Sequence, residues 1–359
     1  MSTQTISQFR EEAKRIGVFL PLTLDETPLQ TPSELHGFPL QNRNVLLMQP
    51  GNDADAEGAP TQMTIDRYTK AVHDRAYSIV WIEPAALDAD SRYFRNGLVL
   101  SPEHEEGYRE LVSAIVHESE QTHGIKPLVI ALLDHAGHHS LKSVAFAHSE
   151  SLPTDAPLLT DDEIQNLIVT CANAAQTAEK AGFSGVALNA ADRSLFGESL
   201  AAFHREGKFG GDFDDRTRFV RDCYTAMRMF TKDMFFAIRL TISDGIPQPD
   251  GWGMAFEDES APDIYEPALL IKILRSLYGM ELIACSIGIP DVNWMFAAEQ
   301  EPEIIRVSRL CTCIAMMDSD MQENVQLILP QEYHQEIPFE SLAAGMIGGE
   351  FASYAGFNG

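Results

Sequence analysis

A chain of 359 residues that is 45% hydrophobic can bury a large core. Its formal net charge of −27 argues against nucleic acid or an anionic membrane as a partner, since both would repel the surface. No run approaches the ~18 consecutive apolar residues of a membrane helix, and the N-terminal MSTQTISQFREEAKRIG lacks the basic-then-apolar order of a signal peptide, so a cytoplasmic protein is expected.

The first 28 residues form an N-terminal extension in which Ile6, Phe9, Ala13, Ile16 and Phe19 recur near helical spacing. A helix there, from the same chain or a dimer partner, would cover the flank of the last strand; a frayed terminus is the equally weighted alternative. Beyond it, strands are expected at 44–49, 77–83, 127–133, 185–190, 235–241, 282–288, 325–330 and 351–357. Helical patterns fall between them at 64–76, 102–121, 161–181, 214–231, 263–278, 303–317 and 341–347. Alternation of this kind, repeated eight times, predicts a TIM-type (β/α)8 barrel in which the eighth helix is missing. Helix starts are marked where Ser101 precedes Pro102 and where Thr160 and Glu163 make a capping box, and Gly182 closes the latter helix.

The five cysteines, Cys171, Cys223, Cys285, Cys311 and Cys313, are odd in number and none forms a C-x-x-C pair. Reduced, mostly buried thiols are expected rather than a disulfide framework. Asp134, His135, His138 and His139 have a spacing that metal ligands could use, but ordinary exposed or core histidines are the favoured reading, and no metal is expected. In GGDFDDRTRF the aspartates oppose anion binding at the next helix start and favour capping. Arg239 reads equally as a core arginine paired with an aspartate or as a ligand contact.

Ligands of such barrels sit beyond the C-terminal ends of the strands. The segments found there are Gly58-Ala59-Pro60-Thr61, Trp81 to Ala86, His135-Ala136-Gly137-His138, AGFSGVALNAAD, KFGGDFDDRTRF, Arg239 and DGIPQPDGWG. In this order, from about Leu29 onward, they resemble the NADH:flavin oxidoreductase, or Old Yellow Enzyme, family. The GWG loop is closest to its dienoyl-CoA-reductase-like and bile-acid-reductase-like branch. The resemblance implies one barrel domain over 29–359 with FMN at its mouth. It further implies hydride transfer from NAD(P)H to the activated C=C bond of a small unsaturated carbonyl compound, in a homodimer or with a partner subunit.

The same resemblance aligns the family's substrate-carbonyl donor pair with Asn189 and Asp192 and its proton-donating tyrosine with Ser194. Flavin contacts align with Arg239, with Ala85 or Ala86, with Leu132 where the family has glutamine, and with Gln49 in Met48-Gln49 where it has proline-methionine. At the phosphate end, Phe357 and Asn358 stand in a Gly-Phe-Gly-Arg pattern that lacks its arginine, and Pro330 removes a backbone donor after strand seven. A carboxylate at Asp192 would repel a developing enolate, and a serine is a far weaker acid than a phenol. Two readings therefore stand: a flavoprotein oxidoreductase with weak FMN binding and poor ene-reduction, or a catalytically silent barrel kept for ligand binding or subunit assembly.

Overall fold

The computed structural model describes residues 25–257 and 261–289, with Arg10, Glu11, Ala13 to Arg15 and Gly17 of the extension and the backbone of Leu22–Thr23 and Leu327–Ile328. The expected strand at 351–357, the helices at 303–317 and 341–347, and Pro330, Phe357 and Asn358 lie outside the described residues.

Six parallel strands run in chain order across one sheet: β1 (Val45–Leu47), β2 (Ile79–Trp81), β3 (Leu128–Asp134), β4 (Gly185–Ala190), β5 (Phe235–Ser243) and β6 (Leu282–Ile287). The helices that join them are α1 (Gln62–Asp74), α2 (Glu105–His123), α3 (Asp161–Ala181), α5 (Arg218–Phe230) and α6 (Tyr265–Tyr278). A short α4 (Leu195–Leu200), which has no counterpart among the expected helices, follows β4 directly. This is the β/α rhythm of the TIM-type barrel. Leu22–Thr23 pairs in parallel with Leu327–Ile328, which lie inside the expected seventh strand. Among the described residues, no helix is long and apolar enough to cross a membrane.

Strand periodicity sorts the buried residues into two cores. Leu46, Val80, Val129, Ala131, Val186, Leu188, Ile238 and Leu240 pack with the helices. Their alternates Leu47, Ile79, Trp81, Ile130, Leu132, Ala187 and Ala237 meet on the inner face. A hairpin, Ser33–Leu35 and Phe38–Leu40, closes that inner core with Leu35 and Leu40. Its two-residue turn, His36 and Gly37 at φ 50° and 80°, has the left-handed backbone of the tight hairpin type, and the His36 ring stacks on Phe235 at 4.9 Å. Gly185 opens β4 because a Cβ there would stand 2.5 Å from the Phe235 ring.

The local signals in the sequence act as their chemistry dictates. Thr160 and Glu163 cap α3 reciprocally, and Gly182 ends it at φ 92°. Asp212 accepts from the Asp215 backbone N–H, so this aspartate of the GGDFDDRTRF run is a cap. The helix expected at 214–231 divides into Phe213–Arg216 and α5, with Thr217 donating its hydroxyl to the Phe213 carbonyl at 2.8 Å. Arg216, the last residue of the first piece, is buried, paired with Glu266 of α6 at 2.8 Å and stacked 3.5 Å from the Phe203 ring centroid.

Candidate functional site

At the C-terminal ends of the strands the inner face changes from apolar to charged. One layer up from Leu132, Ala187 and Ala237 stand Asp134 on β3, Asn189 on β4 and Arg239 on β5; Asn189 and Arg239 are register partners, and Ala86 is the register partner of Asp134. Asn189 Nδ2 donates to Asp134 Oδ1 at 3.0 Å. Arg239 Nη2 pairs with Asp192 Oδ2 at 2.8 Å, where Asp192 sits on the loop just after β4. That loop is bound to β5 by the Asp192 backbone N–H, which donates to Thr241 Oγ1 at 3.1 Å. Two polar atoms of this layer, Asn189 Oδ1 and Arg239 Nε, are buried and hold no hydrogen bond among the described residues. They are an acceptor and a donor on adjacent strands. Leaving both unsatisfied costs about 1–3 kcal/mol each unless a ligand engages them.

Asp134 is half-buried, and its carboxyl is pushed up to about 6. Burial is the main cause and the nearby Asp192 adds to it, while the bonds from Asn189 and the His135 backbone and the charge of Arg239 act in the opposite sense. His135 beside it is buried and held down to about 4 by desolvation, so it is neutral near pH 7; its Nδ1 accepts from the Gly137 N–H at 3.1 Å.

The loops behind this layer are tied by a buried ion pair. Asp192 and Arg193 both have φ 56°, a costly conformation for side chains with a Cβ. Arg193 pairs with Asp244 at 2.8 Å and donates to the Asp250 carbonyl. Asp244 in turn accepts from the backbone N–H groups of Ile246 and Trp252, each at 2.9 Å, and Asp250 Oδ2 accepts from Ser151 N–H at 2.7 Å. The loops after β3, β4 and β5 are thereby joined. Gly253 is required in the last of them: at φ 70° it passes so close to the Ile242 carbonyl that a Cβ would lie 2.0 Å from it. Next to Arg193, Glu198 of α4 is buried with its carboxyl pushed up to about 7, mainly by desolvation. Its Oε1 accepts from the Phe146 and Ala147 N–H groups, and its buried Oε2 has no partner among the described residues.

Of the residues expected to form the site, Asn189, Asp192 and Arg239 come together at the mouth. Ser194 does not face it: its hydroxyl donates to the Asn189 carbonyl and accepts from Gly197 N–H, so it serves as the N-cap of α4. Leu132 is fully buried one layer below as apolar floor. Ala85 belongs to the helix-side core, and it is its neighbour Ala86 that lies level with Asp134. Gln49 is exposed after β1, where its carbonyl accepts from Arg67 at 3.2 Å. Tyr68, whose ring is fully buried, accepts the Glu83 N–H on its hydroxyl and does not face the mouth. The aspartate that pairs with Arg239 is Asp192, and the Asp134–Asn189 bond and the Arg193–Asp244 pair were not foreseen. Among the described residues no group of three or more histidine, cysteine or acidic side chains is placed to hold a metal.

A sequence model of the NADH:flavin oxidoreductase / NADH oxidase family matches residues 28–257. The NADPH dehydrogenase of Bacillus pumilus is 28% identical over 230 residues, covering 61% of this chain and 65% of that one. Among solved structures, 2-naphthoyl-CoA reductase in complex with 2-naphthoyl-CoA aligns with a TM-score of 0.65 at 16% identity, over 89% of this chain and 53% of that one. The Old Yellow Enzyme homologue from Zymomonas mobilis aligns with a TM-score of 0.57 at 20% identity, over 72% and 73% of the two chains. The two structures share the fold, and this chain spans just under two thirds of the length of the Bacillus relative.

Proposed function

Because the chain belongs to the NADH:flavin oxidoreductase / NADH oxidase family, we propose that it is an FMN-dependent oxidoreductase of the Old Yellow Enzyme type. In this reading it transfers hydride from NAD(P)H to the activated C=C bond of a small unsaturated carbonyl compound. FMN supplies the redox chemistry when bound. The observation that carries the reading is the buried pair at the mouth, Arg239 Nε and Asn189 Oδ1, without hydrogen-bond partners among the described residues. The pyrimidine edge of a flavin presents carbonyl oxygens and an N–H side by side, which is the complementary set. Leu132, Ala187 and Ala237 beneath this layer offer the ring a dry floor. Arg239 and Asn189 would hold the pyrimidine edge, and Ala86 would leave room beside Asp134.

The silent barrel is the weaker reading, because a barrel relieved of ligand binding gains nothing from keeping a buried donor and acceptor that have no partners among the described residues. With the flavin reading go a cytosolic location and assembly as a homodimer or with a partner subunit. The test is titration of FMN into the purified chain, followed by NADPH. Saturable binding weakened by Arg239→Ala, then bleaching of the visible flavin absorption by NADPH, is the expected result. A chain that never saturates with FMN would sink the proposal.

A further inference from the structure

We propose that Asp134 is the acid of this site, donating first a hydrogen bond and then its proton to the substrate, so that it stands in for the phenol that the chain lacks at Ser194. The proposal rests on the flavin reading above. Asp134 is set at the mouth by the register of β3, in the same layer as Asn189 and Arg239 and beside the small Ala86. It is only half-buried, so a ligand entering the mouth can reach it.

The other groups facing this place are committed elsewhere. Asp192 is ion-paired with Arg239 at 2.8 Å. His135 is neutral and buried, with Nδ1 accepting a backbone N–H, and the Ser194 hydroxyl is turned onto the carbonyl of its own strand. Asn189 can donate a hydrogen bond but has no proton to give. Asp134 alone of these combines access with a carboxyl that burial and the charge of Asp192 hold protonated into the mildly acidic range, against the pull of Arg239.

The step balances without a further reactant. Hydride from the reduced cofactor adds to the β-carbon as the C=C π bond opens, and the electron pair moves toward the α-carbon and carbonyl oxygen. The O–H bond of Asp134 then breaks and a new C–H bond forms at the α-carbon. Asp134 is left as a carboxylate and takes its next proton from water. A protonated carboxyl donates to the developing oxyanion, where a carboxylate would repel it, so the site works from about pH 6 downward.

The test is calorimetric titration of cyclohexanone, a ketone without an alkene to reduce, into the full-length chain with and without FMN. In the wild type the affinity should weaken about tenfold for each pH unit above about 6. Asp134→Asn keeps a donor and the shape of the side chain, and should bind cyclohexanone with the same affinity at every pH. Asp192→Asn removes a neighbouring negative charge and should move the wild-type midpoint to lower pH. A wild-type affinity that is flat with pH, or an Asp134→Asn variant that keeps the wild-type profile, overturns the assignment. Failure of FMN to bind would instead overturn the flavin reading, and the profile recorded without FMN would still decide the role of Asp134.

Discussion

An arginine that is to hold a flavin needs donors and charge to spare, and Asp192 takes a share of both from Arg239. The carboxylate is a built-in competitor: it holds Nη2, while Nε has no partner among the described residues. Asp192→Asn should therefore bind FMN about tenfold more tightly, the value of one hydrogen bond of about 1.4 kcal/mol. It should also raise the flavin midpoint potential, because an uncompensated guanidinium favours the anionic reduced form. Flavin fluorescence titration and a redox titration read the two effects, and unchanged affinity would mean that Asp192 does not compete. Asn189, Asp192 and Arg239 were legible because they fall at fixed places in an ordered series of motifs. Asp134 appeared only as one member of a weak metal-ligand spacing. Its meaning depends on which residue lies beside it across β3 and β4, and cross-strand register is invisible in a sequence read one residue at a time.

The elements that carry the site are short and held by buried polar groups. The Arg193–Asp244 pair links the loops after β4 and β5. Asp244→Ala leaves the Arg193 charge buried and uncompensated, and should cost about 3–5 kcal/mol in chemical denaturation. Adding Arg193→Gly removes that charge and also relieves the left-handed backbone at φ 56°. The double variant should regain a large part of the loss, whereas additive losses would show that the pair is not the link. Glu198 of α4 gives a second expectation. Its carboxyl is raised to about 7, so the folded chain binds a proton there that the unfolded chain has already lost above about pH 4.5. Stability thus falls as pH rises from about 4.5 to about 7, by up to about 3 kcal/mol. Glu198→Gln, which can keep an oxygen under the Phe146 and Ala147 N–H groups, should show a flatter profile and a higher melting temperature than wild type at pH 8. An equally steep profile in the variant would assign the pH dependence elsewhere. Helix ends were readable from the sequence because caps are local, as at Thr160 and Gly182. The hairpin at 33–40 and α4 were missed, the first because three-residue strands carry almost no periodicity and the second because its six residues are buried throughout and show no polar face.

Charge acts on the molecule as a whole. The 53 acidic residues outnumber the 26 basic ones, so most carboxylates have no cation to pair with even if every lysine and arginine were used. Some of the cations present are spent on their own helix, as in Lys70–Asp74 and Arg109–Glu105. Such exposed pairs contribute about 0.2–1 kcal/mol each and weaken as salt is added. The unpaired excess works the other way. Like charges spread over a compact surface repel one another, and unfolding lets them separate. At about 10 mM salt this repulsion reaches roughly 30 Å, far enough to link opposite sides of a barrel, and at about 150 mM it reaches only about 8 Å. The many weak long-range repulsions are therefore screened before the few short pairs are. Raising sodium chloride from the lower to the higher concentration should stabilise the fold, moving the melting temperature up by about 2–4 °C for each kcal/mol recovered. Chloride is the salt to use, since sulfate would add a stabilisation of apolar burial unrelated to charge. Scanning calorimetry at fixed pH reads the outcome. A melting temperature that falls with sodium chloride would show that the short ion pairs, Arg216–Glu266 and Arg193–Asp244 among them, outweigh the repulsion of the acidic surface.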